Sequence, residues 1–246
     1  LYLDGVSITP EEVYNRLPRE IPKTSLPSAE AILYTLQEIR ESGVETLFII
    51  TISSALSGTF NLMRLTSHDV PELDCRLIDT KNIGIGAGFT VMRAAEMIDA
   101  GASADEIEAA LCCLVKSTKV FFCLPTLEYL AKGGRIGRVT ATVGSLLDVR
   151  PIISCNEEGV YYTVQKARGA VRALDAALQN AADYAKGHAY HLAIAHGGVP
   201  ELAAHVEAQL AGLIHSARSY VRTQVSPALG VHTGPGLIGI GVQRLV

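Results

Sequence analysis

The sequence predicts an α/β protein built as two α/β domains with mostly parallel sheets flanked by helices. Three observations carry this expectation. Short apolar, β-branched runs such as Glu45 to Ile52 alternate with helix-periodic segments along nearly the whole chain, the pattern of strands covered by helices. Hydroxyl residues stand where those helices open, as caps require. After Asp148 to Arg150 the pattern restarts with a hairpin, which puts the domain boundary there and gives units 1–148 and 149–246.

Each element follows in order. Thr9-Pro10-Glu11-Glu12 combines an N-cap, a first-turn proline and a capping-box glutamate, and opens a short helix. Ser28 starts a helix that runs to Gly43, and Glu45 to Ile52 is a buried strand. Helix Ser57 to Ser67, strand Cys75 to Ile78, helices Gly86 to Ala100 and Ser103 to Ser117, and strand Lys119 to Leu124 come next. Two helical pieces, Leu127 to Lys132 and Val139 to Leu147, flank the glycine-rich break Gly133 to Gly137. Pro151 to Cys155 and Val160 to Gln165 form the hairpin around Asn156-Glu157-Glu158-Gly159. Ala167 to Ala185 is a long Ala-rich helix. Strand His191 to Ala195, helix Pro200 to Leu213, strand Arg218 to Gln224 and strand Leu237 to Val242 end the chain.

Composition removes several classes of function. With 21 Lys+Arg against 25 Asp+Glu, 6% aromatics and no Trp, the chain lacks both the basic stripe and the stacking platform of a nucleic-acid binder. Its apolar runs are far shorter than the roughly 20 residues of a membrane span. Leu1-Tyr2-Leu3-Asp4-Gly5 contains no basic-then-apolar leader, so the expectation is a soluble, cytoplasmic chain. Cys75, Cys112, Cys113, Cys123 and Cys155 are odd in number, lack CxxC spacing and sit in apolar stretches. They read as reduced core residues, with neither a disulfide framework nor a metal site.

The segment after each buried strand is where a ligand binds in an open α/β sheet. After Ile52 comes Ser53-Ser54-Ala55-Leu56-Ser57-Gly58-Thr59, four hydroxyls before a helix entrance, where unpaired N–H groups favour an anion. Ser57 alone would be an ordinary cap. A second hydroxyl cluster, Thr24-Ser25-Leu26-Pro27-Ser28, precedes another helix. A third group, Val231-His232-Thr233-Gly234-Pro235-Gly236, lies in a loop between two strands, where a histidine held by glycines and proline can hydrogen-bond an acid. There is no Gly-x-Ser-x-Gly elbow and no Walker string, and Gly84-Ile85-Gly86-Ala87-Gly88 lacks dinucleotide spacing. Asp79-Thr80-Lys81 has no partner placed beside it by sequence. Lys132-Gly133-Gly134-Arg135 suits a phosphate loop or a tight turn with a surface arginine.

Taken together, these strings resemble the DegV family of fatty-acid-binding proteins. The resemblance runs in family order through Thr24 to Ser28, Ile52 to Thr59, Asp79-Thr80-Lys81, Leu130 to Gly137, Arg150 to Ile153, Lys166-Ala167-Arg168 and His232 to Gly236. Members of the family begin with a further strand carrying an Asp-Ser pair, and this sequence starts later. The resemblance implies a carrier with no activity of its own and no cofactor. It would hold a long-chain fatty acid in a tunnel between or within the domains and present the carboxyl group to a fatty-acid kinase subunit for phosphorylation to an acyl-phosphate, as part of phospholipid metabolism. It implies head-group ligands among Thr24, Ser25, Ser53, Ser54, His232 and Thr233. Arg135 and Arg168 would lie at the rim where the kinase docks. Phe60, Met63, Ile83, Phe89 and Leu127 are candidate tail-lining residues. Burying a sixteen-carbon tail yields about 12 kcal/mol gross, reduced by the costs of ordering and association. The competing reading is a stand-alone acyl- or phosphotransferase using the Ser/Thr loops; a third is a protein-interaction module.

Overall fold

The protein, represented by a computed structural model, is described over residues 1–139 and 148–245. Its elements run α1 Pro10–Arg16, α2 Ala29–Glu41, β1 Thr46–Thr51, α3 Thr59–Ser67, β2 Asp74–Asp79, α4 Ile85–Asp99, α5 Ala104–Lys116, β3 Thr118–Cys123, α6 Glu128–Lys132, β4 Val149–Cys155, β5 Tyr161–Arg168, α7 Ala170–Ala185, β6 Tyr190–His196, α8 Pro200–Gln209, α9 Ala211–Ser216, β7 Ser219–Gln224, α10 Pro227–Thr233 and β8 Ile238–Arg244. The expected helix over Val139 to Leu147 lies, beyond Val139, outside the described residues.

The α/β class holds, with helices flanking open sheets. β1 and β2 pair in parallel as a two-stranded sheet, and six strands form a second sheet in the order β5-β4-β3-β8-β6-β7. That larger sheet is mixed: β6 and β7 are parallel, while β4–β5, β3–β4, β3–β8 and β6–β8 are antiparallel. The reason is connectivity. A tight turn joins β4 to β5, and antiparallel pairing is what a tight turn permits; β8 then enters between β3 and β6, antiparallel to both. β3 precedes residue 148 yet lies inside this sheet, which draws strands from both sides of the expected boundary.

Period-two alternation splits the sheet into two apolar faces. Phe121, Ile152, Leu192, Ile194, Ile240 and Val242 pack with the small residues Ala177 and Ala181 of α7 and with Ala203 and Val206 of α8. Val120, Phe122, Ile153, Tyr161 and Ala195 point the other way, toward the functional site. The β1–β2 unit has its own core, in which Ile32 and Leu36 of α2 meet Ile49, Val70 and Leu73.

The capping signals at Thr9, Ser28 and Ser103 sit where expected, with full capping boxes at Thr9 and Ser103. Four readings need correction. Ser57 is not the cap: Leu56 and Ser57 N–H bond to the Ser53 carbonyl in a turn of their own, so the cap falls one residue later, at Gly58, and α3 begins at Thr59. Ala167 and Arg168 belong to β5, in register with Arg150 and Val149, and α7 begins only after Gly169 turns the chain at φ +88°. The helix from Pro200 breaks at Leu210 into α8 and α9. Cys112 and Cys113 are exposed, because Leu111 and Leu114 take the buried face of α5; all five cysteines are free.

Candidate functional site

The loop after β1 is held from three sides. The Ser53 hydroxyl is buried and donates to the carbonyl of Gly159 at 2.9 Å, across to the β4–β5 turn. The Ser54 N–H donates to Asp79 Oδ1 at 3.1 Å, at the end of β2. Arg135 closes the third side, donating from Nε to the Leu56 carbonyl at 3.3 Å. Parallel pairing of β1 with β2 brings their carboxyl ends side by side, where the Asp79-Thr80-Lys81 turn meets the serines. Lys81 Nζ lies 2.7 Å from Asp79 Oδ2 and 3.4 Å from the Ser54 hydroxyl oxygen. Burial pushes the Asp79 carboxyl up, but hydrogen bonds from Lys81 and Ser54 more than offset this and hold it below the usual range.

The second polar group joins residues 208 positions apart. Thr24 Oγ1 and His232 Nε2 are 2.8 Å from one another. His232 is not in a loop between strands, as expected, but in the last turn of α10, a seven-residue helix with Pro227 in its first turn. Its Nδ1 is buried with no hydrogen-bond partner among the described residues and faces Gly133, where a side chain would not fit. Burial lowers the His232 pKa and the Arg135 charge lowers it further, both favouring the uncharged ring. Arg135, whose Nη1 also donates to the Gly133 carbonyl at 2.6 Å, is thus a half-buried strut between the serine loop and the histidine.

Thr233, the residue after His232, lines an apolar cavity that encloses about 420 Å³ of non-atom space, open solvent included. Its wall includes Ile83 and Gly84 beyond the Lys81 turn, Phe122 and Tyr161 on the sheet, and Leu229 and Thr233 on α10. Phe122 and Tyr161 meet edge-to-face with centroids 5.3 Å apart. Gly239 and Gly241, two apart on β8, leave a stretch of the sheet without side chains on this face. A Cβ at Gly241 would crowd Ile85 and Phe89 at 3.0 and 3.1 Å.

The residues singled out in the sequence therefore do not all meet. Thr24 and His232 touch, Ser53 and Ser54 share one loop, and Thr233 is buried on the cavity wall, donating to the Leu229 carbonyl at 3.1 Å. Ser25 and Arg168 are exposed, Arg168 at the end of β5. Of the apolar candidates, Ile83 lines the cavity and Leu127 packs against the same cluster; Met63 belongs to the β1–β2 core, and Phe89 is buried behind the wall. Sequence reasoning missed Asp79 and Lys81 as partners of Ser54, and the alternating glycines of β8. The latter had a signal, since glycine at every second position of a strand marks a face where something must approach closely. Among the described residues no group of three or more His, Cys, Asp or Glu is placed to hold a metal, and no helix is long and apolar enough to cross a membrane.

Comparison with known proteins gives a consistent picture. The chain is 39% identical over 243 residues to a DegV domain-containing protein of Clostridium perfringens, covering 99% of this chain and 86% of that one. Among solved structures it is similar to a fatty-acid-binding DegV family protein from Thermus thermophilus, with a TM-score of 0.92 and 28% identity over 99% of this chain and 87% of the other. It is also similar to a stearic acid-binding protein from Eubacterium ventriosum, with a TM-score of 0.84 and 26% identity over 98% and 85% of the two chains. With residues 1–245 matching the family described as "Uncharacterised protein, DegV family", this chain belongs to the DegV family.

Proposed function

We propose that this protein binds one long-chain fatty acid, tail in the apolar cavity and carboxyl group among Thr24, Ser54 and His232, and that it performs no chemistry on the ligand alone; Ser53, whose one hydroxyl hydrogen goes to the Gly159 carbonyl, holds the loop instead. The observation that carries this reading is an apolar cavity whose wall includes Thr233, next in sequence to the His232 that contacts Thr24, in a fold whose relatives from T. thermophilus and E. ventriosum are fatty-acid-binding proteins. Hydroxyls and an imidazole supply the hydrogen bonds that a carboxyl group needs when it leaves water. Purified protein is expected to yield about one fatty acid per chain, as read by mass spectrometry of an organic extract. Lipid-free protein that also takes up no fatty acid from liposomes would sink the proposal.

The finer part of the proposal is that the bound acid is presented to a cytoplasmic fatty-acid kinase subunit, which converts it to an acyl-phosphate for phospholipid synthesis. Arg168, exposed at the end of β5, is the residue we assign to docking, with Arg135 at the inner rim. A rim charge governs encounter with an acidic partner more than it governs what is buried. Arg168→Ala is therefore expected to keep its lipid but to lose about tenfold in acyl-phosphate formation, roughly the effect of one good charged contact. The check is hydroxylamine trapping with kinase subunit and ATP, beside the lipid content of the same sample. Full activity, or joint loss of lipid and activity, would remove Arg168 from that role.

A further inference from the structure

The turn after β2 contains more chemistry than a connection needs. Lys81 adopts φ +51°, in the left-handed region that a non-glycine residue enters at a cost. Such strain persists only where the surroundings hold it, and it clusters at functional sites. Here the holder is Asp79, whose side chain is only 11% exposed. Its Oδ1 accepts from the Lys81 N–H and the Ser54 N–H, both at 3.1 Å, and its Oδ2 accepts from Lys81 Nζ at 2.7 Å. One carboxylate thus fixes the turn, the serine loop and the lysine side chain together.

The donor inventory gives this arrangement a direction. An ammonium has three N–H groups and no acceptor. One of those of Lys81 is taken by Asp79 and a second faces the Ser54 oxygen at 3.4 Å, and the third has no partner among the described residues. With its oxygen facing a donor, Ser54 has its own O–H left to offer outward. The Asp79 charge is already shared among two backbone donors and the ammonium. The corner therefore presents an outward hydroxyl donor, and beside it a cation whose counter-charge is spread over three contacts. The same segments supply Ile83, Gly84 and, two residues past Gly159, Tyr161 to the cavity wall.

We infer that Lys81 is a specificity-determining contact for an ionised carboxylate held at Ser54, and that Asp79 is the positioning residue that sets both groups. This rests on the reading of Ser54 as a head-group ligand. The site then discriminates by charge: a fatty acid is preferred to a neutral lipid of the same length, because only the carboxylate meets the ammonium.

The test compares palmitate with 1-hexadecanol by competition binding on the full chain. The parent is expected to prefer palmitate, and Lys81→Met to lower palmitate affinity about tenfold while leaving hexadecanol within about twofold. Lys81→Asn, which tolerates the left-handed backbone, is the second variant and should show the same selective loss even if the methionine variant folds poorly. Asp79→Asn keeps an acceptor for the turn but frees the lysine, and should change palmitate affinity and not hexadecanol affinity. Unchanged palmitate affinity, or equal loss of both lipids in the two lysine variants, overturns the role of Lys81. A parent that binds neither lipid overturns the carrier reading itself.

Discussion

Gly159→Ala is expected to lower the melting temperature by roughly 4 to 20 °C, against about 2 to 8 °C for Gly187→Ala. The pair is informative because both glycines sit at φ +79° and so carry the same left-handed backbone cost, about 1–2 kcal/mol once a Cβ is present. Around Gly187 nothing lies within 4 Å of where that Cβ would go. At Gly159 it would drive into the Ser53 side chain and crowd the Lys81 backbone at 3.1 Å. Ser53 is fully buried and its hydroxyl bonds to the Gly159 carbonyl, so displacing it leaves a buried polar group unsatisfied, a further cost of about 1–3 kcal/mol. At roughly 2–4 °C per kcal/mol for a chain of this size, the two costs give the ranges above. The measurement is thermal unfolding of the two variants beside the parent. Equal shifts would mean that the Ser53 contact across the β4–β5 turn contributes nothing.

The same contact shows why the sequence was legible only in part. Local rules act over a few residues, and where they govern, the reading holds: the capping boxes at Thr9 and Ser103, the buried run that becomes β1, and the hairpin around Gly159 are all visible as strings. The α10 helix was missed because seven residues with a glycine at position 230 and another just past its end give no periodicity to detect, although Ser226-Pro227 is an ordinary helix start. Strand direction in the six-stranded sheet was missed because alternation of helix and strand suggests parallel pairing without saying where a distant strand such as β8 will insert. The candidate site was legible as separate hydroxyl and histidine strings, several of them through likeness to a family. Their joining was not, since the Thr24 to His232 contact and the Ser53 to Gly159 contact depend on how whole units pack.

Gly133→Ala is expected to weaken fatty-acid retention about tenfold to a hundredfold, and to do so without changing any proposed ligand. Gly133 has φ −77° and ψ −7°, values alanine adopts freely, so no backbone strain is introduced and the unfolded chain loses some freedom. What changes is space. The new methyl would be driven against Nδ1 of His232 and would crowd its Cε1 at 3.0 Å, with the Tyr129 carbonyl equally close on the other side. The backbone oxygen cannot yield, so the imidazole must turn, and the 2.8 Å contact between Nε2 and Thr24 Oγ1 is lost. Losing a partly buried hydrogen bond whose partner remains in place costs about 1–3 kcal/mol, which sets the range of the expected effect. The decisive comparison is a double-mutant cycle. His232→Ala alone should weaken retention similarly, and Gly133→Ala added to it should cost almost nothing more, because the imidazole it collides with is gone. Additive losses in the double variant would show that Gly133 acts by some route other than His232, and unchanged retention in both single variants would remove the Thr24–His232 pair from the head-group site.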